Sequence, residues 1–199
     1  AGRAGGNARR GEDPLPDVGH RRRDFAELSC LHQLVPDLGA TRRYRMSITD
    51  QGTGLMNRVA YEKCLRKSDQ RVIAPAACIY IDANGLHEIN NERGHEAGDQ
   101  LLRAVAERLR EQFPRDDLYR VGGDEFVMFP APAAEAEYEA RMRAVSESLA
   151  AQGYSISYGL AAQEMTEGLR DLVREADEKM LEQKRTYYTS IHSHRDPRA

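Results

Sequence analysis

Cysteine is scarce, with only Cys30, Cys64 and Cys78 in 199 residues. Their odd number and wide spacing exclude a Cys-x-x-Cys metal knuckle and a disulfide framework, leaving buried free thiols as the reading. Long apolar runs are missing too, and none approaches the roughly 20 residues that span a bilayer. The chain does not open on Met and has no secretory signal pattern, so we expect a piece of a longer cytoplasmic protein without membrane contact of its own. Net charge is −3, but residues 1–45 hold nine Arg against six acids. That arm has no regular basic stripe and no interleaved aromatics, which argues for a solvated linker and against nucleic-acid or lipid binding.

What is present divides into three parts. Residues 1–48 form the expected leader: a Gly-, Arg- and Pro-rich start without apolar period, then helical spacing at Phe25, Leu28, Leu31 and Leu34 ended by Pro36. Residues 49–190 form the expected folded domain, and 191–199 a tail. Within the domain, helices are predicted over 57–68, with Val59 and Leu65 as apolar positions, and over 85–92, 96–113, 135–151 and 169–188. In the third of these, Leu101, Leu102, Val105 and Leu109 share one face. Strands are predicted at 76–81, 118–121, 125–129 and 154–161, the middle pair flanking Gly122-Gly123, a turn that admits positive φ. This order predicts an α/β sandwich with helices packed on a mixed sheet and a central hairpin.

Three carboxylate-bearing segments carry chemistry. An apolar strand ends at Asp82 and turns through Gly85 into a helix, as metal- and phosphate-binding loops do; alone, such an Asp more often caps a helix. The pair Asp124-Glu125 follows two glycines, and strand alternation sends the two acids to opposite faces, so only one shares a site with Asp82. The plainer reading of that tip is a solvated hairpin. Asn90 and Asp99 can bracket a purine, since guanine offers an N–H edge that a carboxylate accepts; His95 lies between them.

Order and spacing together narrow this. The run Ile81-Asp82-x-Asn84-Gly85-Leu86-His87-x-Ile89-Asn90-Asn91-x-x-Gly94-His95-x-x-Gly98-Asp99, followed by Arg120-Val121-Gly122-Gly123-Asp124-Glu125-Phe126, closely resembles the GGDEF family of diguanylate cyclases. Asp50 to Arg58, Ser157 to Ala161 and Ala176 to Lys184 match further family segments, so the resemblance covers about residues 49–188. It implies a palm-like fold with about five strands and the signature on the hairpin. It also implies condensation of two GTP into cyclic di-GMP at a transient homodimer, with an upstream sensory domain in control. Asp82, the Ala83 carbonyl and Asp124 would hold Mg²⁺, with Mn²⁺ as an alternative. Asp124 or Glu125 would accept the proton. Asn90, His95 and Asp99 would take guanine, and Gly85, Leu86, His87 and Lys184 the phosphates. The chain departs from the family at Asn84, Leu86-His87, Asn91 and Tyr187-Tyr188, where a phosphate-binding arginine is lost. Phe113 stands where the product-inhibition motif Arg-x-x-Asp, ending here at Asp116, has its arginine, so no tight product binding is expected there. The competing reading is a catalytically weak GTP-binding regulatory module. A third, a cyclase of broader nucleotide choice, is disfavoured by Asp99.

Overall fold

The computed structural model describes residues 46–114 and 116–195, without the side chains of 191–195. The expected linker over 1–45, its helix, Cys30 and Arg115 lie outside the described residues.

Asn57 opens the first helix by accepting the Ala60 N–H on its side chain at 3.2 Å, which satisfies a donor the helix start would otherwise strand. Helix α1 (Arg58–Ser68) leads through the two-residue β1 (Val72–Ile73) into β2 (Ala76–Ala83). Then come α2 (Leu86–Arg93), α3 (His95–Gln112), β3 (Asp117–Arg120) and β4 (Glu125–Phe129). The chain continues through α4 (Glu135–Ala150), β5 (Ile156–Gln163), β6 (Thr166–Glu167) and α5 (Arg170–Arg195). The main sheet runs β3-β4-β2-β5 with every ladder antiparallel, and β1 pairs with β6 in a separate ribbon. Met56 meets Tyr119 in an isolated parallel bridge that lies outside the four strands of this antiparallel sheet.

Both faces of the sheet are covered. Ile79, Ile81, Phe126 and Met128 face α3 and α4, meeting Leu101, Val105, Leu109, Met142 and Val145. Cys78, Val127 and Phe129 face α1 and α5, meeting Ala60, Cys64, Leu65, Leu172 and Ala176. Each fully buried aliphatic of this kind contributes roughly 1.5–3 kcal/mol. The alternation fixes which side chains reach each layer, and it places the even-numbered residues of β2, Asp82 included, on the α5 side. Cys64 and Cys78 are buried free thiols. Val59, expected on the apolar face of α1, is 58% exposed, because the inward stripe is Ala60, Cys64 and Leu65. Among the described residues no helix is long and apolar enough to cross a membrane.

Candidate active site

Asp82 sits at the end of β2 and is only 3% exposed. Lys184 of α5 donates to its Oδ2 at 2.6 Å, while its Oδ1 is buried with no hydrogen-bond partner among the described residues. A buried acceptor left unpaired ordinarily costs about 1–3 kcal/mol, more when charged, so this oxygen is free to take a group that the described residues do not supply. Burial pushes the Asp82 carboxyl up; the Lys184 bond opposes this and the charge of Asp124 adds to it. Burial works against the Lys184 charge in turn, but the bond and charge of Asp82, with Asp124 behind it, raise its pKa.

The signature turn closes over this pair. In the β2–β4 ladder Asp82 stands directly opposite Glu125, so the two side chains leave the sheet on the same face. Asp124 lies one residue before β4, out of the alternation, and its carbonyl accepts the Ala83 N–H at 2.9 Å. The expectation that only one acid shares a site with Asp82 therefore fails. Asp82 feels the charge of Asp124, and Glu125 feels both. Burial first, then Asp124, Asp82 and Asp177, push the Glu125 carboxyl up against a bond from Tyr80. Glu125 also borders a cavity of about 470 Å³ toward α1, beside Tyr61, Tyr80, Arg58 and Arg170. Neither glycine of the turn takes positive φ. A Cβ at Gly122 would lie 2.3 Å from Glu125 Oε2 and so push that carboxylate aside, whereas one at Gly123 would meet nothing within 4 Å.

Arg120 holds the turn in place. Its Nε and Nη2 donate to the Gly123 carbonyl at 3.3 and 2.7 Å, and its Nη1 donates to Asp50 Oδ1 at 3.1 Å. Sequence reasoning noted both residues but assigned neither a role, because nothing in a linear pattern pairs positions 70 apart.

The loop after β2 continues into the second half of the site. Asn84 is buried, donates to Ser155 Oγ at 3.3 Å and accepts from Ser157 Oγ at 3.0 Å, tying the loop to β5. Gly85 takes φ +74 and starts α2, so it sits where other residues would be strained. Burial pushes the Tyr188 phenol up and the Gly85 backbone N–H opposes this, a proximity that sequence reasoning missed. Leu86 is half-buried; His87 is exposed, with its Nε2 3.0 Å from the Asn91 amide. On the α2–α3 pair, Asn90 lies against Gly98, where a Cβ would meet its Oδ1 at 2.1 Å. His95 and Asp99 are exposed, Asp99 standing 3.6 Å from Arg103. Asp82, Ala83, Asp124, Glu125 and Lys184 thus converge. Asn90, His95 and Asp99 occupy the neighbouring helical hairpin. At the segment where the family resemblance implies an inhibitory motif, Phe113 is fully buried and Asp116 accepts the Ala131 N–H at 2.9 Å.

Among the described residues, no three His, Cys, Asp or Glu side chains form a metal cage. The donor set fits a different kind of site. Mg²⁺ takes hard oxygens and is commonly held by one or two carboxylates together with substrate phosphates. Asp82 with its orphaned Oδ1, Asp124 and the Ala83 carbonyl are donors of that type.

The family model described as diguanylate cyclase, GGDEF domain, matches residues 47–189, and the chain belongs to that family. An uncharacterised protein of Mycobacterium tuberculosis is 35% identical over 132 residues, covering 60% of this chain and 21% of the relative. Diguanylate cyclase TpbB of Pseudomonas aeruginosa is 32% identical over 152 residues, 61% of this chain and 35% of TpbB. The chain thus spans about a fifth to a third of these relatives. In fold it is similar to the coiled coil and GGDEF domain of DgcB from Caulobacter crescentus, solved with c-di-GMP. The TM-score is 0.67 at 20% identity, over 84% of this chain and 94% of that one.

Proposed function

We propose that this chain is a diguanylate cyclase that joins two GTP into cyclic di-GMP with release of pyrophosphate. The observation that carries the reading is the buried, unpartnered Oδ1 of Asp82, with Asp124 and Lys184 beside it. Likeness to TpbB, which bears the name of that activity, supports it.

In this reading the 82–87 loop receives the triphosphate, through backbone N–H groups at Gly85, Leu86 and His87 and through Lys184. Asn90 and Asp99 take the guanine edge, with His95 close by. A carboxylate at 99 would face the acceptor N1 of adenine without a bond, which costs about one to two decades in affinity. Asp82, Asp124 and the Ala83 carbonyl would hold Mg²⁺, or Mn²⁺ in its place, which neutralises phosphate charge when bound. The 3′-hydroxyl oxygen of one GTP forms a bond to the α-phosphorus of the other. The α–β phosphoanhydride bond breaks, pyrophosphate leaves, and Asp124 takes the hydroxyl proton. Glu125, turned to Tyr80 and the cavity, orients its neighbours. Each chain holds one GTP, so a homodimer is needed, working in the cytoplasm under an upstream sensory domain with residues 1–48 as the connection.

Concentrated protein with GTP and Mg²⁺ should yield cyclic di-GMP by mass, and Asp124→Ala should abolish it while the fold is kept. Normal turnover in that variant would remove Asp124 from the chemistry. A second reading, a GTP-binding regulatory module, draws on the internal pairing of Lys184 with Asp82 and of His87 with Asn91. It predicts GTP binding without pyrophosphate release.

A further inference from the structure

Asn84 follows directly on β2, is only 4% exposed, and is gripped by the start of β5. Its Oδ1 accepts from Ser157 Oγ at 3.0 Å and its Nδ2 donates to Ser155 Oγ at 3.3 Å. Its backbone N–H donates to the Ser155 carbonyl at 3.0 Å. Ser157 is fully buried and stands opposite Asp82 in the β2–β5 ladder. A peptide unit is planar and trans, so its C=O points opposite to its N–H. The Asn84 N–H turns to β5, and β2 lies between β5 and β4, so the Ala83 carbonyl turns toward the β4 side. There the signature turn takes the Ala83 N–H on the Asp124 carbonyl at 2.9 Å. Among the described residues no backbone N–H is returned to the Ala83 carbonyl.

We propose that Asn84 is a positioning residue for the divalent cation: clamped by Ser155 and Ser157, it fixes the 83–84 peptide so that the Ala83 carbonyl is held on the Asp124 side of β2. The proposal rests on the metal reading of Asp82, Ala83 and Asp124 given above. Partners that fix the direction of a metal ligand commonly matter about 10- to 100-fold in metal affinity. An amide suits this post because it offers an acceptor to Ser157 and a donor to Ser155 without bringing charge. Asp82, Asp124 and Glu125 already crowd negative charge at this end of the sheet. A carboxylate at 84 would accept from both serine hydroxyls and add to that charge, whereas alanine would release the clamp.

Calorimetry of the full chain with 3′-deoxy-GTP, which lacks the attacking hydroxyl, run once with Mn²⁺ and once with EDTA, isolates the metal's share of the affinity without turnover. Asn84→Ala should cut that share about tenfold and leave the affinity in EDTA unchanged. Ser157→Ala should follow Asn84→Ala, and Asn84→Asp, which keeps both serine contacts, should retain the wild-type share or exceed it. Should the buried variants fail to fold, Ser155→Ala, at a half-buried position, should show the same split with a smaller loss. Equal losses with and without Mn²⁺ overturn the proposal, because a residue that only shapes the loop weakens the nucleotide either way. Unchanged affinity in Asn84→Ala overturns it too. Asp124→Ala checks the metal reading separately: if it removes the Mn²⁺ share and Asn84→Ala does not, the metal reading stands and the role of Asn84 falls. If the wild type gains nothing from Mn²⁺, both fall together.

Discussion

Asp116 shows how a carboxylate near the surface can be tied into the fold. With Phe113 in the core, the Asp116 side chain holds the Ala131 N–H, and its tie is internal to the fold. Burial raises its pKa above the ordinary value, against the Ala131 bond and the charge of Arg141. The sign follows from linkage: the folded chain binds this proton more readily than the unfolded one. The Asp116 contribution is fully present below its unfolded value of 3.8 and is lost as pH rises through the higher folded value. Asp116→Asn keeps an acceptor for Ala131 and removes the buried charge. We expect its Tm at pH 7 to exceed wild type by about 2 °C, the response of a chain this long to about 0.5–1 kcal/mol. The gap should close as pH falls toward 4. Thermal melts across that range check this, and a Tm below wild type at pH 7 would show that the charge is favourable where it lies.

At the scale of elements, the contact of α5 with β5 positions both Lys184 and Tyr188. A Cβ on Gly159 would lie 2.0 Å from the Ala176 carbonyl and 2.4 Å from the Met180 nitrogen, both backbone atoms that cannot rotate aside. Overpacking of that kind typically costs about 1–3 kcal/mol. Gly159→Ala should lower Tm by about 3–10 °C and weaken GTP binding even well below the melt, since α5 must move off the sheet. Wild-type affinity in a folded Gly159→Ala chain would show that α5 does not set the phosphate side of the site. Most of the elements themselves were legible beforehand. Apolar period located the helices, and the short apolar runs ending in carboxylate or glycine located the main strands. The β1–β6 ribbon was not legible, because two residues per strand leave no alternation to read. Nor was the register that sets Glu125 opposite Asp82. The alternation argument treated Asp124 as a strand residue, and the strand begins one residue later. The links from Lys184 to Asp82 and from Tyr188 to Gly85 bridge about a hundred residues. Family resemblance named Lys184 as a phosphate contact and Asp82 as a metal ligand, separately; only the fold revealed that they pair, and that Tyr188 lies near Gly85.

For the whole molecule, the proposed reaction sets a requirement that one chain cannot meet. In the proposed reading one chain offers a single triphosphate loop and a single guanine-side hairpin, whereas the product contains two equivalent nucleotides. Two copies must bring their loaded sites face to face, and a closed two-fold pair is the arrangement that matches a two-fold product. If the chain pairs weakly, the dimer fraction at low concentration rises in proportion to protein. Specific activity should then climb about tenfold per tenfold increase in protein before levelling off. Excess Asp124→Ala chain should suppress wild-type turnover by drawing it into mixed pairs with one defective site. Fusing a parallel dimeric coiled coil ahead of residue 46 should raise activity at dilution without altering the plateau, because it supplies the encounter and not the chemistry. Specific activity that stays flat across a hundredfold dilution, in a chain that sediments as a monomer throughout, would mean that a single copy completes both bonds, and the paired-site mechanism would have to be abandoned.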